Sequence, residues 1–301
     1  MVEDLGKILS KGFETYTKNL NLSIPFIINV VITGLLSVIM LFAGFFYIFG
    51  SSLSSLKNAT TPQQAISIIL PLVLHHIHEI VMLIIIYFLI VSFIESFFLA
   101  GAIGMAQQAT ETGKAELSTM IEAGKKNVVN LYLAEILVGL IYFAGVVFIV
   151  PGAMRINLDQ ILSFSDISAF LPLIGGFLLW AIYLVILSLV LAVFIYALVI
   201  DALSPIDGIL AGFRFFTKHK FEVFMLWLIA GIIVIVLFII EQVMGLIPVA
   251  KIIWPFINMI ISIAVIPPLT TLWWVRLYMT RTDKKIYINE LLAHPNDLEK
   301  A

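Results

Sequence analysis

The chain contains no cysteine, which excludes disulfides, thiolate metal ligands and cysteine nucleophiles. Charge is almost as scarce. Only 12% of the 301 residues are Asp, Glu, Lys or Arg, about half the share usual in a soluble domain. The net charge of −2 leaves no clustered basic excess, so nucleic acid is not an expected partner. Also missing are a GxSxG nucleophile turn and a glycine loop of the kind that cradles phosphates. What fills the chain instead is apolar. Hydrophobic residues make up 61% and mean hydropathy is +1.11, concentrated in long uncharged runs that make lipid the solvent for most of the molecule.

A spanning helix needs about 20 apolar residues. Uncharged runs lie at 22–49, 80–94 (continuing past Glu95 to 106), 128–150 around Glu135, 167–200, 223–240 and 252–275, which predicts six spans. The fourth run is too long for one crossing, and Pro172 with Gly175-Gly176 marks an expected break that leaves Phe177 to Ile200 as the span. The first 21 residues are charged throughout and lack the apolar core of a cleavable signal, so the first run is expected to stay as an anchor. Six spans put both ends on one side. The segments on that side, 1–21, 107–127, 202–220 and 276–301, hold 14 of the 17 Lys and Arg, and the opposite loops hold only Lys57, Arg155 and Lys251. This asymmetry predicts a multi-pass cell-membrane protein with cytoplasmic N- and C-termini.

The segments before spans one, three and five repeat. ILSKGFETYTKN (8–19) and GILAGFRFFTKH (208–219) share Gly12/Gly212, Phe13/Phe213, Thr17/Thr217 and Lys18/Lys218 at a constant offset. In the middle copy Leu117, Met120, Ile121 and Gly124 answer to Leu5, Ile8, Leu9 and Gly12, and its Lys-Asn pair arrives about a turn early. The expected fold is therefore all-α: one six-span domain over 1–280, built as three units (about 1–110, 111–203 and 204–280), with 281–301 as a short tail. Each unit is a cytoplasmic amphipathic helix followed by a helical hairpin. The apolar stripes, Leu5-Ile8-Leu9-Tyr16 and Ile206-Ile209-Leu210-Phe213-Phe216, lie opposite lysines. Such helices either cap the bundle or lie in the interface with their lysines toward anionic head groups.

The threefold unit, with GAIGMAQQATETGKAELSTMIEAGKKN (101–127) and YALVIDALSPIDGILAGFRFFTKHKFEVF (196–224), resembles a membrane-domain family. This family precedes the catalytic domain of some glycerophosphodiester phosphodiesterases and also occurs as stand-alone six-span proteins. The likeness runs over nearly the whole chain. No soluble region is long enough to hold the phosphodiesterase domain, so the resemblance implies a membrane module and not a hydrolase.

Three sets of residues are candidates for function. The first is the cationic set Lys11, Lys18, Lys125, Lys126, Arg214 and Lys218, which points to membrane lipid as the partner; no feature names a protein partner. The second is intramembrane: Glu95, Glu135 and Glu222, with Arg276 at a depth suited to pairing with one of them, either as a structural ion pair or on a proton or ion path. The third is HHIHE. His75, His78 and Glu79 fall at i, i+3 and i+4, one helical face with ligand types suited to Zn²⁺. Both familiar zinc orders, HExxH and HxxEH, fail there. Asp159, Asp166 and Glu241 are possible fourth ligands, and histidine also suits a membrane interface. No other cofactor is expected. Asn29 and Asn258 are expected to bond between helices. Pro255, Pro267 and Pro268 should interrupt span six, Trp273-Trp274 and Tyr278 fit an interfacial aromatic belt, and Asn58-Ala59-Thr60 is a glycosylation sequon.

Overall fold

The structure is a computed structural model that describes residues 3–50, 61–154 and 170–286. Lys57, Arg155, the sequon, Asp159, Asp166 and most of the tail lie outside the described residues. Every regular element among the described residues is helical. Helix α1 is Leu5–Lys18, followed by a 3-10 turn and α2, Ile24–Phe49. Then come α3 (Pro62–His75), α4 (Ile77–Thr112), α5 (Leu117–Ala144), α6 (Leu171–Val190), α7 (Phe194–Ile200), α8 (Pro205–Lys218), α9 (Lys220–Gly245), α10 (Pro248–Ile260) and α11 (Ile266–Arg281). Among the described residues, six helical segments are long and apolar enough to cross a membrane: 20–49, 77–112, 117–153, 171–200, 220–245 and 250–281. The protein is a multi-pass helical membrane protein.

The entry helices of units one and three are separate because a single residue breaks the chain. Asp4 caps α1 by accepting from Lys7 N–H, and Asn19 ends it at φ −135°, ψ 62°. Ser204 caps α8 through the N–H of Asp207, Pro205 opens its first turn, and His219 ends it at φ −125°, ψ 39°. The middle copy differs from the expectation: α5 runs unbroken from Leu117 into span three. Its Asn127 turns its amide onto Ala123 O within the helix instead of ending it. The break in span four is also displaced. Pro172 sits in the first turn of α6, where its missing N–H is not needed, and the interruption falls later, at residues 191–193.

Three glycines set how the units close. A Cβ on Gly124 of the second unit would come within 3.0 Å of Phe97 O in span two. One on Gly212 of the third would meet Phe194 Cα, in the last turns of span four, at 2.5 Å. One on Gly12 of the first would meet Trp273 Cδ1, in span six, at 2.4 Å. Each entry helix thus presses its backbone onto the second span of the preceding unit, and the first unit takes span six. The three units form a closed ring.

The buried core sits at the entry-helix end, between 96–138, 191–226 and 268–280, with Ile8, Tyr16 and Leu22. The far halves of the spans pack little: the apolar windows of the six are at most 17% buried. Helix α4 is 36 residues long, about 54 Å, so it overreaches a hydrocarbon core of about 30 Å. Its last turns form a close-packed pair with α5 through Gly101, Gly104 and Met120.

Candidate functional site

Helix α1 is built onto span six, and the reason is a row of polar bonds. Proline has no N–H, so Pro267 and Pro268 leave carbonyls one turn back without an intrahelical donor; there the chain widens into a π turn, Ile261–Val265. Ala264 O accepts instead from Tyr16 Oη at 2.8 Å and Ser23 Oγ at 2.5 Å. One level further, Trp273 Nε1 donates to Leu9 O at 3.1 Å. Further still, Arg276 makes a bidentate pair with Glu3, both bonds 2.7 Å, with both side chains under 10% exposed. The expected pairing of Arg276 with an intramembrane carboxylate is therefore corrected: Glu3 takes it, and Glu222 pairs with Arg281 at 3.2 Å. The apolar stripe of α1 likewise faces protein rather than lipid, since Ile8, Gly12 and Tyr16 are buried.

The other end of α1 is tied to the tip of the α4–α5 hairpin. Asn19 donates to Gly113 O at 3.1 Å and accepts from Ala115 N at 2.9 Å, while Asn21 donates to Ala115 O at 2.6 Å. Gly113 ends α4 at φ 80°, a left-handed conformation that glycine adopts without strain. The comparable tie of the second unit is Asn130 to Leu203 O, 3.2 Å.

Between these clamps lies a cavity of about 150 Å³ lined by Lys11, Glu14, Thr15, Lys18, Thr112, Gly113, Lys114 and Arg276. Glu14 gives one oxygen to each neighbour, Oε2 to Lys11 at 3.0 Å and Oε1 to Lys18 at 2.6 Å. The hydrogen bond from Lys18, then that from Lys11, lowers the Glu14 carboxyl to about 2, so it stays ionised near neutrality. Among the described residues Lys114 has no ion-pair partner. Sequence reasoning found Lys11 and Lys18 but not Lys114 or Glu14. Their only signal was the polar hairpin tip and the i, i+3 and i+4 spacing around Glu14.

The remaining cations behave differently. Lys125 and Lys126 are exposed on α5, and Arg214 and Lys218 are exposed on α8. Helix α8 buries Gly208, Gly212 and Phe215. That leaves Ile206 (62% exposed), Leu210 and Phe213 open beside Arg214 and Lys218.

In the spans, Glu135 of α5 faces Ser96 of α4, whose hydroxyl donates to it at 2.5 Å, and Glu95 lies within electrostatic reach. Asn258 bonds across to Glu241 at 3.3 Å, as expected between spans, whereas the buried Asn29 Oδ1 finds no partner among the described residues. Trp273, Trp274 and Tyr278 are not a belt but core. Trp274 stacks on Tyr196 with centroids 6.0 Å apart, and Tyr278 donates to Asp201, which Lys284 also engages.

The histidine face does not form. His75 ends α3, His76 breaks the helix at φ −98°, ψ 20°, and His78 and Glu79 start α4. A one-face set needs an unbroken helix, so the spacing loses its meaning. His76 Nδ1 lies 3.8 Å from Glu79 Oε1, too far for a hydrogen bond. Among the described residues no three His, Asp or Glu converge as a ligand set.

Helices, ring closure and basic pocket together define a polytopic membrane module. The model of a family described as a domain of unknown function, DUF7847, matches residues 85–278, and the chain belongs to that family. The match contains Lys114 and Arg276 and leaves α1 outside it. No curated protein and no solved structure matches the chain.

Proposed function

We propose that this is a non-enzymatic integral membrane protein of the cell membrane that engages or organises lipid through a basic face on its cytoplasmic side, where both termini lie. The observation that carries the reading is helix α8. Its glycine face is taken up by span four, and its exposed Ile206, Leu210 and Phe213 stand beside Arg214 and Lys218. Apolar residues that enter the interface next to cations that meet anionic head groups are the composition of an interfacial helix. Lys125 and Lys126, exposed on α5, supply further cations in the second unit. The likeness of 101–127 and 196–224 to the membrane modules associated with glycerophosphodiester phosphodiesterases supports a module over a hydrolase.

Native mass spectrometry of the gently purified protein tests this. A basic residue near an anionic surface contributes about 1 kcal/mol. Changing Lys125, Lys126, Arg214 and Lys218 together to Gln should weaken phosphatidylglycerol retention on the order of a hundredfold or more, at about 1.4 kcal/mol per tenfold. Unchanged retention would overturn the reading.

A further inference from the structure

We propose that the cavity between α1 and the α4–α5 tip is a phosphomonoester site, taking the head group of a lipid or a soluble phosphate, in which Glu14 is the resident anion that the ligand displaces. This rests on the lipid-engaging reading above and adds a ligand class and a place.

The charges set the class. Arg276 is matched by Glu3. Among the described residues lining the cavity, Lys11, Lys18 and Lys114 then face the carboxylate of Glu14, an excess of two positive charges. A phosphomonoester carries about −1.5 to −2 near neutrality, whereas a phosphodiester carries one charge. Glu14 already shows the geometry in miniature, with one oxygen on each of two ammonium groups. A phosphoryl group offers three such oxygens, enough to take Lys114 as well. Backbone donors do not compete, because the N–H of Gly113 is committed to Ala109 O and that of Lys114 to Thr112 Oγ1. Lysine point charges therefore do the recognising.

The walls are fixed before the ligand arrives. Asn19 holds the hairpin tip to the end of α1, and Glu3 with Arg276 holds its start. Preformed walls reduce the ordering cost of binding. Leu20, two residues past Lys18, is 63% exposed at the foot of span one, so a lipid seated here has an apolar path for its chains.

The test is equilibrium binding of fluorescent phosphatidic acid, doped into micelles holding the full chain. Unlabelled phosphatidic acid, phosphatidylglycerol and inorganic phosphate serve as competitors. Phosphatidic acid should outcompete phosphatidylglycerol at least tenfold; equal competition would overturn the ligand class. Displacement by millimolar inorganic phosphate assigns the site to a soluble phosphate as well, and resistance to it assigns the site to lipid. Lys11→Gln with Lys114→Gln should weaken binding tenfold or more. Glu14→Gln should strengthen it severalfold, a gain that a misfolded protein does not give. Affinity should fall from pH 7 to pH 5 with the second phosphate ionisation near about 6, since Glu14, held at about 2 by Lys18 and Lys11 in the free site, does not titrate there over that range; a flat profile contradicts the proposal. If the α5 and α8 cation variants lower phosphatidylglycerol retention while the pocket variants change nothing, the pocket proposal fails and the broader reading stands. If neither set changes binding, both fail.

Discussion

Arg276 directs its guanidinium at Glu3, 273 positions earlier in the chain. A charged residue inside an apolar run announces that it needs a partner, and that much is readable from sequence. Which partner is not readable, because depth along a span leaves every carboxylate at that level eligible, and Glu3 belongs to no span. The same limit applies to Glu14, whose lysines are visible as helix neighbours while Lys114 is brought in by a hairpin tip from elsewhere in the chain. Removing one half of a buried ion pair leaves an uncompensated charge, which costs about 3–5 kcal/mol, whereas replacing both halves with apolar groups is often neutral. Glu3→Gln should therefore lower the unfolding temperature in detergent clearly, and Glu3→Leu with Arg276→Met, which makes both halves apolar, should recover most of the loss. A Glu3→Gln protein that melts with the wild type would show that the pair carries no stability.

Helix α1 was legible as an amphipathic element from its spacing, but the partner of its apolar face was not. Periodicity reports that Ile8, Gly12 and Tyr16 share a side; it does not distinguish lipid from a neighbouring helix, since both are apolar. The prolines of span six held the missing information. They predict an interruption, and a freed carbonyl demands a donor, which Tyr16 and Ser23 provide at Ala264 O. HHIHE misled for a related reason. Its ligand spacing presumes a continuous helix, and the break falls on His76. Leaving a buried acceptor unpaired costs about 1–3 kcal/mol, so Tyr16→Phe with Ser23→Ala should destabilise the protein by that amount in thermal unfolding. The penalty should shrink in a Pro268→Ala background, where a backbone N–H is restored near the same carbonyl. Equal penalties in the two backgrounds would detach the clamp from the proline.

The ring of three units follows from a pattern short enough to see in sequence, one glycine per entry helix. That each glycine receives the second span of the preceding unit is a property of the closed assembly. It also explains why the core gathers at one end. The entry helices thicken only that end, and the opposite halves of the spans are left to lipid. Anionic lipid attraction needs that thick end in the cytoplasm, where 14 of the 17 basic residues then lie. The lack of cysteine makes the orientation directly measurable, since any introduced thiol is the only one present. Lys114→Cys marks the hairpin tip at the core end, and Leu246→Cys marks the turn between α9 and α10, where Leu246 is 84% exposed. A membrane-impermeant maleimide added to intact cells should label Leu246→Cys and reach Lys114→Cys only after permeabilisation. The reverse pattern would turn the molecule over and place the basic face outside, and labelling of both in intact cells would contradict a bilayer between them.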